Sequence, residues 1–589
     1  VNNDLEQPSL YWRIRRAISA FGATEKIVFG FFAIIFVLSA LIVLQKINRS
    51  FMTDVPVRGG TLEEGVVGFP SAVNPLIAYT DADKDLVALV YSGLLRQDSN
   101  GQIITDLAQS WTVSEDGLTY SFKLKPELTF HDGVPLTADD VVFTIQRVKD
   151  DVINSPKASN WTGVSVEKVS DLEIRFTLKK AYAPFVYNMT LGILPKHIWE
   201  SIDAPLFSRS TYNQEPIGSG PYRVKSAKSK DGFYEYYDLA PFENYALGAA
   251  HLEHIIMRFY KTEEAALAAY NLGSVKALGG ISPESADVLV AQGANIKRIP
   301  LPRIFGIFFN QSHATVFLNK EVRQAFDVAI NRDTLIKQVL HGYGVRATSP
   351  IPAGFISTED IAATRESTTT ASEGELAKSI EEAKDILLSN GWKPNEQGIL
   401  SKKVTRNGSS ENVTLAFTLT TPNVPELKRT AEIVRDTWNQ LGASVTLNIV
   451  EPGELNQNII KPRAYDALLF GNVVGRDLDL YPFWHSSQRN DPGLNIAMYA
   501  NLKADRLLET ARTTASSTIR NTSFQDFEKE IISDIPAVFL YSPEYIYVLP
   551  KKIQNAEISK IVSSSERFST IYKWYTDIDG VWNIFIKNQ

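Results

Sequence analysis

From Ile27 to Leu44 the chain runs through eighteen residues, IVFGFFAIIFVLSALIVL, without a charge. A helix of that length covers about 27 Å, close to the hydrocarbon thickness of a bilayer. No polar face interrupts the run, which argues against a buried core helix, and nothing downstream is apolar over a comparable length. The rest of the chain changes on shorter periods. TYSFKLK (119–125) and LEIRFTLKK (172–180) alternate as strands do, and IFGIFFNQS (304–312) reads as a buried strand. GGTLEEGVVGFPSAVNPLIAYTDADKDLVALVYSGLL opens the first folded body as a strand, a loop and a helix. KTEEAALAAYNLGSV (261–275) predicts a helix ended by Gly273, a long helix follows over about 319–340, and another over about 374–388. Between them, 355–375 is polar and low in bulk, as a surface loop is. VTLAFTLTT (413–421), ELKRTAEIVRDTWNQLG (426–442) and ASVTLNIVE (443–451) form a β-α-β unit, which requires parallel strands. The whole is mixed α/β.

The stretch LTFHDGVPLTADDVVFTIQRV (128–148) sets a histidine beside an aspartate, and a catalytic pair is one reading of it. Adjacent side chains of an extended segment point to opposite faces, so His131 and Asp132 are poorly placed to relay a proton. The architectural reading fits better: Asp132-Gly133 is a turn dipeptide, Pro135 stops the strand, and Thr137 with Asp140 has the spacing of a capping box before Val141, Val142, Ile145 and Val148.

Arg13, Arg15, Arg16 and Lys26 precede the apolar run and Lys46 and Arg49 follow it, a bias that places the N-terminus in the cytoplasm and the remainder outside. Ser39-Ala40 offers a peptidase site, so a cleaved signal peptide is the alternative. The run continues to Leu44 after a long charged segment, and an uncleaved anchor is the favoured reading. The 589 residues suffice for several cores; the net charge of −7, with no basic block beyond the N-terminus, argues against nucleic acid as a partner. The absence of cysteine excludes disulfides, thiolate metal sites, cysteine nucleophiles and a lipidated cysteine. EPIGSGPYRVKS (215–226) lacks the lysine and the helix of a phosphate loop and predicts a turn into a strand; HLEH (251–254) places its two histidines on opposite faces of the strand HIIMRFY and predicts no metal. No G-x-S-x-G occurs, and no nucleophile, base and orienter form a recognisable set, so no enzymatic activity is expected.

LAQSWTVSEDGLTYSFKLKPELTFHDGVPLTADDVVFTIQRV (107–148) resembles the signature region of the extracellular solute-binding proteins of family 5, the oligopeptide and dipeptide receptors of ABC importers. NPLIAYTDADKDLVALVYSGLL, PIGSGPYRV, NKEVRQAFDVAINRDTLIKQVLHGYG, EEAKDILLSNGW and YDALLFGNVVGRDLDLYPFWHSSQ (465–488) follow in the family's order, so the resemblance runs from about residue 57 to the C-terminus. It implies a two-lobed periplasmic-binding-protein-like α/β fold with an extra domain, here preceded by one transmembrane helix. The expected division is a cytoplasmic segment 1–26, an anchor 27–46, a linker 47–56, domain I from 57–90, 213–300 and 546–589, an inserted domain II at 91–212, and domain III at 301–545. The partners it implies are short peptides, or another small solute, and an ABC permease with its ATPase; a sensing or cell-wall-peptide receptor is the alternative. No cofactor or metal is implied, and a monomer is expected. Peptide receptors of this kind place an aspartate after the Y-D-x-x-x-x-G strand to pair with the ligand's amino terminus, and ungapped alignment puts Gly475 there. Either Asp477 or Asp479 supplies the charge from an offset loop, or the ligand lacks a free amine. Asn472, Val473 and Trp484 are the other expected cleft residues; for Trp484 and His485, packing at a loop base is the alternative.

Overall fold

A computed structural model describes residues 10–353, 355–356, 373–406, 409–475, 477–514 and 516–582. The polar stretch expected as a loop lies for the most part, at 357–372, outside the described residues. The chain divides into two units, Val1–Arg58 with Tyr575–Gln589, and Gly59–Trp574.

In the first unit, helix α1 (Leu10–Ser19) is followed by helix α2 (Ala23–Ser50), which contains the apolar run and has no buried residue. The expected linker differs from what the structure shows. Met52–Val57 is a strand, paired antiparallel with Asp577–Trp582. Its partner lies more than five hundred residues away, so no local pattern announces the pairing.

The second unit is built on one long mixed sheet. Thr61–Val67 lies parallel to His254–Tyr260, and the antiparallel strands Phe233–Pro241 and Tyr222–Lys230 extend that side. On the other side Arg303–Phe309 pairs with Ala467–Val473, which lies beside the parallel pair Ala416–Pro422 and Ser444–Val450. The strand Ala537–Val548 belongs to both: its first residues pair with Arg303–Phe309, its last with Ile296–Pro300. The two chain crossings, at 300–303 and 541–544, therefore run side by side, and Leu301 N–H donates to Pro543 O at 3.1 Å. Apolar side chains gather on either side of this seam, around Leu62, Tyr237, Ile255 and Trp574 in one half and around Phe309, Phe326, Leu419 and Trp438 in the other. A separate four-stranded sheet, in the order Ala108–Val113, Thr119–Leu124, Glu173–Leu178, Val164–Ser170, carries the signature region.

The β-α-β unit forms as the pattern predicts: the helix Pro425–Gln440 buries Leu427, Ala431, Val434 and Trp438 on one face. The long helix expected over 319–340 does not. It is two helices, Lys320–Ala329 and Arg332–Leu340, because Ile330 is extended and the Asn331 side chain accepts from Thr334 N–H as the cap of the second.

In the half that contains both chain ends of the second unit, three chain segments meet on one guanidinium. Arg567 is 1% exposed; it reaches Glu64 of the strand Thr61–Val67 at 2.7 Å and Asp85 of the helix Asp81–Val90 at 2.5 Å. Tyr547 donates its hydroxyl to the second Glu64 oxygen at 2.7 Å, and Phe568 lies under the guanidinium at 4.0 Å. The pairs are satisfied as charge-assisted hydrogen bonds in a dry setting.

The His131 motif is architectural. Asp132 turns away from His131: one oxygen accepts from Val134 N–H at 3.1 Å, and the other meets His197 at 2.8 Å. Gly133 takes φ +88°, a region where a side chain is strained. Thr137 N–H donates to Asp140 at 2.8 Å, closing the expected capping box. The His131 ring binds the PIGSGPY turn instead. Nδ1 accepts from Gly218 N–H at 3.3 Å, which leaves Nε2 to donate to Gly220 O at 3.1 Å, so these bonds require the neutral ring protonated on Nε2. Burial lowers its pKa from 6.5 to about 4. A histidine depressed on folding contributes fully above its unfolded value and loses that contribution as pH falls towards the folded one. Up to about 3 kcal/mol is therefore lost between pH 6.5 and pH 4, at about 1.4 kcal/mol per unit. His131→Gln should show a shallower fall in thermal midpoint over that window than the parent; parallel curves would remove His131 as a source of the acid sensitivity.

Candidate functional site

A cavity of about 1220 Å³ opens between the two halves of the second unit. That exceeds the usual few hundred to about 1,000 Å³ of a small-molecule pocket. One wall comes from the half containing Asp81, Glu263 and Ser564; the other from Arg303, Phe305, Phe470 and Leu427. The sheet explains the second wall. Arg303 and Phe305 are opposite Val473 and Gly471 across the antiparallel pair, and alternation puts all four on one face.

Most charges on the wall are already matched. Glu544 pairs with Arg298 at 2.5 Å, Glu263 accepts two hydrogen bonds from Ser282, at 2.9 and 2.8 Å, and Lys84 lies 3.7 Å from Asp81. Among the described residues Arg303 and Glu426 have no ion-pair partner, which leaves one charge of each sign open to a ligand.

Of the residues singled out from sequence, Asn472 and Val473 line this cavity, Val473 with 48% of its surface exposed. Trp484 does not: it is 1% exposed and packs against Phe308, Tyr499 and Phe539 beneath the strand, touching only a small crevice that Asn472 shares. His485 stacks on Tyr481 at 4.1 Å and holds the Ser487 hydroxyl at 2.8 Å.

Gly475 and Asp477 lie beyond the end of that strand, outside the cavity wall. A Cβ built on Gly475 would meet an Asp477 oxygen at 2.3 Å. The Asp477 carboxylate thus fills the space into which a side chain at 475 would project. It faces Tyr182, whose hydroxyl is 3.4 Å from Asp477 and 3.3 Å from Asp479. A phenol has one proton and satisfies one carboxylate at a time. Asp479 also has Arg512 at 3.2 Å, while no cation stands against Asp477 among the described residues. Burial, and then the neighbouring Asp479, push Asp477 above the usual carboxylate range; burial raises Asp479 too, against the pull of Arg512. The Arg512 guanidinium also lies over the Tyr481 ring at 4.5 Å and the Tyr182 ring at 5.3 Å. Tyr182 comes from the segment with the four-stranded sheet, the others from the opposite half, so the cluster bridges the two sides.

Sequence reasoning did not find Tyr182, Arg512 or Arg303. AYAPFVY around Tyr182 has no polar periodicity to mark it, and Arg512 sits in a helix, Leu502–Thr513, whose charged face is like any solvated one. For Arg303 a signal existed: a charge at the head of the apolar run IFGIFF.

Residues 102–493 match the family described as bacterial extracellular solute-binding proteins, family 5 Middle. The oligopeptide-binding protein AppA of Bacillus subtilis (strain 168) is 29% identical over 513 residues, 85% of this chain and 89% of that protein. The structure of AppA from Bacillus subtilis in complex with a nonapeptide superposes with a TM-score of 0.62 at 28% identity, over 89% of this chain and 100% of that one. The crystal structure of NikZ from Campylobacter jejuni in complex with Ni(L-His) gives a TM-score of 0.64 at 26% identity, over 87% and 99%.

Proposed function

Because the chain belongs to the bacterial extracellular solute-binding proteins of family 5, we propose that it is a membrane-tethered receptor that captures short peptides between two closing lobes and delivers them to an ABC permease and its ATPase. The observation that carries this reading is the cavity of about 1220 Å³, walled from both halves of a body joined there by two side-by-side crossings. Such a joint lets the halves rotate about one seam, and a ligand touching both walls favours the closed state. We divide the second unit at 300/301 and 545/546, with 59–90, 213–300 and 546–574 in the first lobe, 91–212 as its inserted domain and 301–545 as the second lobe; residues 57–58 and 575–589, expected in domain I, fall in the first unit. Asn472 and Val473 stand on the cavity wall with Arg303, which offers a cation to a carboxylate, and beyond the wall Asp477 offers a carboxylate to an amine. Binding, not catalysis, is the role of this set.

The family's relatives do not share one ligand. AppA is named for oligopeptides, whereas NikZ was crystallised with Ni(L-His), so a non-peptide solute is the second reading, favoured by the missing carboxylate at Gly475. Mass spectrometry of small molecules released from the purified full chain, followed by calorimetry with synthetic peptides, separates the two. Peptides released and rebound at micromolar or better affinity support capture of peptides; a released metal chelate with no peptide binding sinks it.

The tether rests on α2, whose 28 residues span about 42 Å, the full thickness of a bilayer with its headgroups. The protein should stay in the membrane fraction after a high-salt wash with its N-terminus intact. N-terminal sequencing that begins near Leu41 would identify a cleaved signal peptide instead.

A further inference from the structure

The ten residues before the tether have a pattern the receptor function does not use. In LYWRIRRAIS, at about 100° per residue, Tyr11, Ile14, Ala17 and Ile18 fall within one sector about 120° wide. Arg15 and Arg13 border that sector on its two sides, and Arg16, Trp12 and Ser19 lie opposite. The helix contains no acidic residue. Most of its apolar surface is open: Tyr11 is 68% exposed and Ile14 50%, Ile18 is half-buried, and the Arg15 guanidinium lies over the Trp12 ring at 5.8 Å.

The helix is broken at the junction with the tether, where Gly22 is extended. Ala20 and Phe21 N–H groups close α1 on Ala17 O and Ile18 O, at 3.2 and 3.3 Å. Glu25 accepts from Gly22 N–H at 2.7 Å to start α2, and the Phe21 ring meets Phe29 at 5.8 Å. A single unbroken helix would carry the arginines away from the bilayer along the axis of α2. The break frees α1 to turn, and three residues, Ala20 to Gly22, reach at most about 11 Å. That is within the headgroup layer.

We propose that α1 is an in-plane foot: it lies on the bilayer surface at the N-terminal end of α2, with Tyr11, Ile14 and Ile18 in the acyl boundary and Arg13, Arg15 and Arg16 on the phosphates of anionic lipids. An apolar sector bordered by arginines is the arrangement a charged interface selects, the apolar side entering the boundary and the guanidinium groups staying with the headgroups. The foot fixes the direction in which the tether enters the membrane and adds a second attachment to it. This inference rests on α2 spanning the bilayer.

The chain has no cysteine, so single cysteines introduced into the full-length protein carry spin labels at unique sites. Labels at Ile14→Cys and Ala17→Cys report the apolar sector, Ser19→Cys the opposite side, and Phe36→Cys the middle of α2. The protein is reconstituted in phosphatidylcholine vesicles with and without phosphatidylglycerol, and the accessibility of each label to oxygen and to a water-soluble nickel chelate is read. The expected result is Phe36 buried in both vesicles, Ile14 and Ala17 buried when phosphatidylglycerol is present, and Ser19 in water. The triple substitution Arg13→Gln, Arg15→Gln, Arg16→Gln should return the Ile14 label to water while leaving the Phe36 label buried. Ile14 and Ser19 labels equally wet on anionic vesicles, with Phe36 buried, overturn the foot and leave the tether standing; a wet Phe36 label removes both. Burial of Ile14 that ignores lipid charge and survives the triple substitution overturns the headgroup contact. Protection seen only when a permease is added makes the partner a protein and also overturns it.

Discussion

Arg567→Met is expected to destabilise the second unit by about 3–5 kcal/mol at pH 8, the cost of leaving buried carboxylates without their cation. Glu64 and Asp85 are 0% and 2% exposed and approach the same guanidinium from different chain segments, so neither has water to fall back on. Burial pushes Asp85 up to about 6 even with Arg567 pulling it down. A carboxyl raised on folding loses stability as pH rises through its folded value, because the unfolded chain ionises more easily. Without Arg567 the Asp85 value moves higher still, so the penalty of the substitution should grow between pH 6 and pH 8 and shrink towards pH 5. Urea denaturation followed by tryptophan fluorescence measures it. Adding Glu64→Gln and Asp85→Asn to Arg567→Met should recover part of the loss, since neutral amides are cheaper to bury unpaired than charges. A penalty that is the same at pH 5 and pH 8, or no recovery in the triple variant, would mean the cost is lost packing over Phe568 rather than uncompensated charge.

What the chain shows locally and what it hides differ by the range of the interaction. The strands around Tyr120 and Ile174, the capping box at Thr137, the turn at Gly133 and the β-α-β unit were legible because each is settled within a few residues by alternation, capping or a required φ. The break at Ile330 was missed because both flanking helices are apolar on a helical period; only Asn331, a good cap, marked it. Met52–Val57 falls almost wholly in the stretch 47–56 that reads as linker, because its partner strand comes from the far end of the chain. The Arg567 cluster was invisible for the same reason: Glu64, Asp85 and Arg567 sit in three separated segments, each with an ordinary charge content. At the site, Asn472 and Val473 followed from a motif, while Tyr182 entered through the packing of the segment with the four-stranded sheet, which no periodicity describes.

Asp477→Asn should weaken binding of peptides with a free amino terminus by about tenfold or more, the factor that about 1.4 kcal/mol represents, and leave N-acetylated peptides nearly unchanged. The loop supports the assignment in two ways: the Asp477 oxygen stands 2.3 Å from where a Cβ of residue 475 would be, and its neighbour Asp479 is already matched by Arg512 at 3.2 Å. Asp477 therefore has both the position of the missing side chain and the unspent charge. An ammonium arriving there replaces a shared phenol proton with a full cation, and a charge-assisted bond in a closed cleft contributes about 1.5–3 kcal/mol. Because burial and Asp479 raise the empty carboxyl, protonation competes with the amine from a higher pH than at a free carboxylate. Affinity for free-amine peptides should accordingly fall as pH is lowered through that range, and the fall should be absent for acetylated peptides and for Asp477→Asn. Comparing two ligands on two proteins isolates the pair from general damage to the fold. Equal losses for free and acetylated peptides would take the amine away from Asp477, and failure of the parent to bind either would move the ligand out of the peptide class.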